Sequence, residues 1–171
     1  MKETKNTYSI EEARRYVANA EEVIKKADYD PEIQSYTDSK YVRTAGDILW
    51  KGCLIALDTV FQVRKGKGRP SVDKYRDAIA KRDRKLLSFV NNGYDVTHLY
   101  MGYDGTTDKK ICDRGFEITN VIINHCAMLL PKPVLRTRLC LPQPRQHASR
   151  GLYWRIHGAS GAILARRSSW R

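Results

Sequence analysis

The chain has 171 residues, a formal net charge of +12 and four cysteines. Its length suits one ordinary domain with its own core, and no apolar run is long enough to cross a membrane. The polar start predicts no signal peptide, and the cysteines form no C-x-x-C pair. We therefore expect a cytoplasmic protein with reduced, buried thiols and neither a disulfide framework nor a zinc site.

The positive charge is concentrated at the end of the chain. Residues 1–130 hold 22 Lys and Arg against all 19 Asp and Glu, whereas residues 131–171 hold nine basic residues and no acid. The second segment also carries four of the six prolines. We predict a near-neutral domain over 1–130 and a basic Pro/Arg-rich tail over 131–171. Three interpretations of the tail stay open: a disordered extension, a non-native end such as a frameshifted product, and a nucleic-acid arm.

The first predicted helix begins at a capping signal. Ser9 is a suitable cap, and Glu12 three residues later completes a capping box. Apolar residues recur with helical spacing from Ile10 to Ala27. Pro31 then ends the helix, because proline lacks a backbone donor and restricts the residue before it.

The second predicted helix covers about 36–64 and has a broad apolar face, which is typical of the centre of a bundle. Gly46 and Gly52 lie within it, although each glycine costs about 1 kcal/mol relative to alanine in a helix. Close packing against a neighbouring helix would offset that cost. We therefore predict that both glycines lie at helix–helix contacts.

Three further helices are predicted after the connector 65–70. The third covers about 71–91 and is expected to stop at the sequence Asn-Asn-Gly that ends at Gly93. A short fourth helix over about 96–101 precedes a turn at Gly105, and the last helix covers about 107–130. No segment alternates with period two, so we predict no sheet. The predicted fold is all-α, an up-and-down bundle of four to five helices.

The connector carries the candidate nucleic-acid-binding residues, Lys65, Lys67 and Arg69. A glycine-rich segment that leads into a helix N-terminus is able to hold a phosphate on backbone N–H groups. The segment lacks the spacing of a phosphate-binding loop and follows a helix rather than a strand. A flexible connector with solvated charges is therefore the favoured interpretation.

Asp58 and His125 form the candidate buried polar site. Asp58 lies among apolar residues, and a buried acid needs a donor such as Lys51, Thr59 or a tyrosine hydroxyl. His125 lies on or beside the inward side of the last helix, where pairing with a distant acid such as Asp58 or Glu117 stays open. Neither His125 nor His98, in the short fourth helix, has a second histidine or carboxylate four positions on, so no local metal pair is formed. We favour a structural role and predict no catalytic residue, metal or cofactor.

Two segments resemble a family of bacterial helical-bundle domains of unknown function. The first runs over 29–58 and is most specific in KYVRTAGDILWKGCLIALD, and the second is YDGTTDKKICDRGFE over 103–117. The resemblance covers about residues 8–130, and it implies a four- to five-helix bundle without an established activity. More remotely, the helix order is similar to the HEPN superfamily, which includes toxin RNases and partners of nucleotidyltransferases. The Arg–His motif of its catalytic members is absent from residues 1–130, which argues against RNase activity.

The leading functional prediction is a non-enzymatic interaction module that works through a protein partner or as a homodimer. It rests on the broad apolar helix faces and on the lack of a catalytic constellation. The alternative is a HEPN-like nucleic-acid or nucleotide-binding protein, such as a toxin–antitoxin component or a nucleotidyltransferase partner. An enzyme that uses Asp58 and His125 is the third hypothesis.

Overall fold

The structure is a computed structural model that describes residues 8–64, 68 and 70–131. Five α-helices, one π-helix and one small hairpin make up the described chain, and the all-α prediction is confirmed. In chain order the elements are α1 (Ile10–Ile24) with a 3₁₀ turn (Lys25–Ala27), β1 (Tyr29–Asp30), β2 (Ser35–Tyr36), α2 (Ser39–Phe61), α3 (Val72–Ala80), α4 (Arg84–Gly93), the π-helix (Tyr94–Asp104) and α5 (Lys109–Leu129). The predicted tail lies outside the described residues except for Pro131.

The first helix begins where its capping signal predicted. The Ser9 hydroxyl accepts a hydrogen bond from the Glu12 backbone N–H at 3.0 Å, which satisfies one of the free donors of the first turn. The Glu12 carboxylate pairs with Arg15 at 3.2 Å. The buried side of α1 is the predicted apolar stripe, made of Ile10, Ala13, Val17, Ala20 and Ile24.

A hairpin follows α1 and corrects the prediction of no sheet. Asp28 adopts a positive φ of 45°, and β1 then pairs antiparallel with β2, Tyr29 opposite Tyr36. The Asp30 carboxylate accepts from the Glu32 backbone N–H at 2.9 Å, which closes the turn between the strands. Each strand has only two residues, too few to produce the alternation from which a strand is recognised in a sequence.

The second helix lies at the centre of the bundle, and it packs along α1, α5 and the π-helix. It is shorter than predicted at both ends. Asp38 caps its start by accepting from the Lys40 backbone N–H at 2.8 Å, and Gln62 ends it with a positive φ of 49°. The two glycines lie at close contacts, as predicted. Gly52 faces Tyr16 of α1, and Gly46 faces the π-helix.

The single helix predicted over 71–91 is two helices. The Asp83 carboxylate accepts from the Leu86 backbone N–H at 2.9 Å and so caps a new helix, α4, three residues after α3 ends. Aspartate competes with a continuing helix in this way, because its side chain offers the backbone a local acceptor. The break was missed because the apolar spacing runs on through it.

The α-helix ends at Gly93, where the stop is predicted, but the chain does not leave helical geometry there. Gly93 stays in right-handed helical geometry with φ −60°, and the chain runs on into the π-helix. A Cβ at Gly93 would lie 2.7 Å from Cδ1 of Ile122, so the glycine serves the close approach of α4 to α5. The predicted short helix over 96–101 lies inside the π-helix, and the predicted turn at Gly105 is confirmed, with φ 70°.

The last helix completes the core. Asp108 caps it by accepting from the Lys110 backbone N–H at 2.7 Å, and Ile118, Ile122 and Ile123 lie buried along its inner side. Leu129, the last residue of the helix, is 43% exposed. The largest fully buried side chains of the described bundle are Tyr75, Leu49, Leu57, Ile79, Leu86, Met101, Ile118, Ile122, Ile123, Val42, Val90 and Thr97.

Candidate functional site

A pocket of about 230 Å³ opens beside α1, α2 and α3. One side of α2 lines it with residues three or four positions apart, which share a helix face. The segment before α1, α1 itself, the segment after α2, and α3 supply the remaining walls. The lining residues are Tyr8, Tyr16, Lys51, Leu54, Ile55, Asp58, Arg64 and Tyr75.

Two buried polar side chains within this lining are bonded to each other. Asp58 is 6% exposed and Tyr75 is 2% exposed. The Tyr75 hydroxyl lies 3.0 Å from Oδ1 and 2.9 Å from Oδ2 of Asp58, and it donates to the carboxylate. The Arg64 backbone N–H donates to Oδ1 at 3.1 Å. A tyrosine hydroxyl is thus a donor to Asp58, while Thr59 instead donates to the Ile55 carbonyl at 2.9 Å.

Cationic and aromatic groups also line the pocket. The Arg64 guanidinium carbon lies 5.5 Å from the centre of the Tyr8 ring, within the range of a cation–π interaction. Lys51 is exposed and Tyr16 is half-buried. The pocket therefore combines two cations, one buried carboxylate and three tyrosines.

His125 lies in a different environment from Asp58. Its Nε2 lies 2.7 Å from Oδ2 of Asp83, and the Phe89 ring meets the imidazole edge-on at 5.9 Å. The Leu86 backbone N–H and the His125 hydrogen bond lower the pKa of Asp83, because both stabilise the ionised carboxylate. The histidine therefore ties α5 to the capped start of α4, and the pocket lining does not include it.

A second histidine belongs to an aromatic cluster that the sequence did not reveal. His98 of the π-helix stacks on Trp50 at 6.1 Å and contacts Tyr94 at 5.1 Å. Arg76 lies 5.1 Å from the centre of the Tyr94 ring, and His98 Nδ1 lies 4.0 Å from the Asp47 carboxylate. The cluster joins α2, α3 and the π-helix through ring packing.

The described cysteines are buried thiols. Cys53, Cys112 and Cys126 are free, and burial raises the pKa of each to about 12. A thiol with such a pKa carries little thiolate at neutral pH and is a poor nucleophile. Within the described ranges, no three His, Cys, Asp or Glu residues come together in a way that would hold a metal ion.

The outer side of α5 exposes apolar side chains. Met128 is 74% exposed, Leu129 is 43% exposed and Val121 is 39% exposed. Val121 and Met128 are seven residues apart and therefore lie on the same side of the helix. Arg114 and Glu117 precede them on that side and form an ion pair at 3.4 Å. We call the side formed by Arg114, Glu117, Val121 and Met128 the α5 outer face.

The candidate nucleic-acid-binding residues Lys65, Lys67 and Arg69 lie outside the described residues, so their role stays a prediction.

Most of the pocket lining was not predicted from the sequence. Lys51 and Asp58 are seven positions apart on α2, which was a usable signal for a shared face. Nothing in the sequence linked them to Tyr8 and Tyr75, which come from distant segments.

The comparisons with known proteins lead to proteins of unknown function. The model of a family described as a domain of unknown function (DUF5618) matches residues 8–128. A solved structure described as a protein of unknown function from Dyadobacter fermentans is 37% identical, with a TM-score of 0.65. The match covers 71% of this chain and 95% of that one. The search of curated proteins gives no match.

Among the helices that the structure describes, none is both long and apolar enough to cross a bilayer.

Proposed function

From the premise that this chain belongs to the DUF5618 family of domains of unknown function, we propose that it is a non-enzymatic helical-bundle module that pairs with a second copy of itself through the α5 outer face. The observation that carries the proposal is the exposure of Met128 and Val121 on one side of α5. Three free, buried thiols fit a reducing compartment such as the cytoplasm.

The length and pattern of α5 suit a contact between two copies. The helix has 21 residues and is therefore about 30 Å long. A two-fold contact needs only one self-complementary patch, because each copy presents the same surface. In an antiparallel pair of α5 helices, Val121 lies at the two-fold axis. Met128 of one copy then faces Arg114 of the other, since both are seven residues from Val121.

The chemistry of that pairing is favourable. The methylenes of an arginine side chain cover an apolar neighbour while the guanidinium stays in water, so Arg114 is a suitable partner for Met128. Arg114 is already paired with Glu117 of its own helix. The two faces therefore meet without an excess of one charge, which would oppose association.

Sedimentation equilibrium of the full chain tests the proposal. We expect the wild-type chain to approach twice its 19.7 kDa mass with rising concentration. Met128→Lys is expected to hold it at the monomer mass, because a buried lysine would lose its hydration.

Ile33→Lys is the matched control, since Ile33 is an apolar side chain, 69% exposed, in the turn between β1 and β2 and outside the α5 outer face. This variant should associate as the wild type does. A wild-type chain that stays monomeric throughout the series contradicts the proposal.

The alternative function is nucleic-acid or nucleotide binding of the HEPN-like type. The supporting observation is that the basic run Lys65, Lys67 and Arg69 directly follows Arg64, which lies at the pocket. RNA binding by fluorescence anisotropy over a salt series tests it. Affinity should fall steeply with salt, and replacing the three basic residues with alanine should flatten that dependence. RNA binding that is unchanged by the replacement argues against this site.

A further inference from the structure

We propose that the pocket lined by Lys51, Asp58, Arg64 and Tyr75 binds a small anion that carries one planar ring. This inference does not depend on the α5 contact, because none of the residues of the α5 outer face lines the pocket. It concerns a different part of the bundle, where α1, α2 and α3 meet.

The volume sets the size of the ligand. The pocket measures about 230 Å³, at the small end for ligand sites, which commonly span about 300–1,000 Å³. A cavity of roughly 150 Å³ accepts benzene. The pocket therefore has room for one six-membered ring and one charged group, but little more.

The charges set the sign of the ligand. Lys51 and Arg64 are two cations against the single carboxylate of Asp58. That carboxylate already accepts from the Tyr75 hydroxyl and from the Arg64 backbone N–H. Both hydrogen bonds stabilise the negative charge of Asp58 within the protein. The electrostatic attraction of the pocket for an anionic ligand therefore comes from the Lys51 and Arg64 side chains. Carboxylates and phosphates are the groups that such a pair of cations binds best.

The remaining walls suit a ring. Leu54 is buried and Ile55 is half-buried on α2, and the half-buried Tyr16 lies across from them on α1. Gly52 allows this approach, because it keeps α2 close to Tyr16, whose Cβ would be 3.2 Å from an added Cβ. A planar ring between an aliphatic and an aromatic wall gains both apolar burial and ring contacts.

Isothermal titration of the full chain with small probes tests the site. The probes are phenyl phosphate, benzoate, inorganic phosphate and benzyl alcohol. We expect one of the two aromatic anions to bind more tightly than inorganic phosphate and than benzyl alcohol. The comparison of phenyl phosphate with benzoate identifies the charged group. If inorganic phosphate binds as tightly as both aromatic anions, the assignment of a ring is overturned.

Variants separate this pocket from general attraction of anions to the basic tail. Lys51→Gln and Arg64→Gln should each weaken binding of the aromatic anion about tenfold, as expected for a lost charge-assisted hydrogen bond. Lys110→Gln is the matched control, because Lys110 is an exposed lysine on α5, and it should leave binding unchanged. Melting by circular dichroism verifies that all three variants fold. The proposal is overturned if the wild type does not bind, or if the Lys51→Gln and Arg64→Gln variants bind the aromatic anion as tightly as the wild type does.

Discussion

Gly46 shows how one residue sets the distance between two elements. A Cβ at this position would lie 2.6 Å from Cβ of Met101 and 2.6 Å from the carbonyl oxygen of Thr97. Both neighbours belong to the π-helix and are held there by its backbone. The sequence predicts that a glycine within an apolar helix face lies at a contact, but it does not identify the partner, which is about fifty residues away.

Gly46→Ala tests this contact. Alanine is favoured over glycine within a helix by about 1 kcal/mol, yet forcing a methyl group into a packed contact typically costs about 1–3 kcal/mol. We expect a net loss of stability, measured as a lower midpoint of chemical denaturation. Gly68→Ala is the control, because no atom of the residues that the structure describes lies within 4 Å of an added Cβ there. A Gly46→Ala chain that is as stable as the wild type contradicts the contact.

The buried thiols give a second prediction for single residues. Burial raises the pKa of Cys53, Cys112 and Cys126 to about 12, and the thiolate is the reactive form. In a Cys140→Ser background, which removes a cysteine outside the described residues, native protein should resist iodoacetamide at mildly alkaline pH. Protein unfolded in guanidinium should be modified at all three sites. Fast modification of the native protein would show that these thiols are accessible.

At the scale of elements, sequence reasoning worked where the signal is local. Ser9 caps α1 as expected, and the apolar stripe that follows is the buried stripe. It failed at Asp83, where no helix start was predicted, and at Gly93, where the chain was expected to leave the helix. Asp83 starts a helix inside an unbroken apolar pattern, and Gly93 keeps helical geometry at a point where an added Cβ would lie 2.7 Å from Cδ1 of Ile122 on α5. The start of α4 therefore depends on a local side-chain cap, whereas the glycine at position 93 reflects the packing of α4 against α5.

The hydrogen bonds of Asp83 to the Leu86 backbone N–H and to His125 predict how stability depends on pH. The pKa of Asp83 is lower in the folded chain than the ordinary value of 3.8, so the unfolded chain binds more protons in acid. The stabilisation is fully present above the ordinary pKa and is lost as the pH falls through the folded one. Asp83→Asn should flatten this acid-side loss of stability, measured by denaturation midpoints over a pH series.

Asp77→Asn is the control for that experiment, because Asp77 is an exposed acid on α3. Its acid-side profile should match that of the wild type. If Asp83→Asn also keeps the wild-type profile, the Asp83 carboxylate does not contribute the stability that its hydrogen bonds imply.

At the scale of the whole molecule, the pocket and the α5 outer face differ in how far sequence predicts them. Lys51 and Asp58 share a face of α2 by helical spacing alone. Arg64 lies in the segment that directly follows α2, and its backbone N–H donates to Asp58. Tyr8 and Tyr75 join them only through the packing of α1 and α3 around α2, and no local pattern encodes that packing. Met128 is visible in the sequence as an apolar residue, but its exposure depends on which side of α5 the core occupies.

The proposed pairing of two chains is the central claim, and disulfide cross-linking at Val121 tests it most directly. Identical residues at a two-fold axis between packed helices approach within the Cα separation of about 4.4–6.8 Å that a disulfide needs. In the Cys140→Ser background, Val121→Cys should form a covalent dimer under mild oxidation, whereas Lys81→Cys, at an exposed position between α3 and α4, should not. A Val121→Cys chain that stays monomeric, or that cross-links no more than the Lys81→Cys chain, contradicts the account.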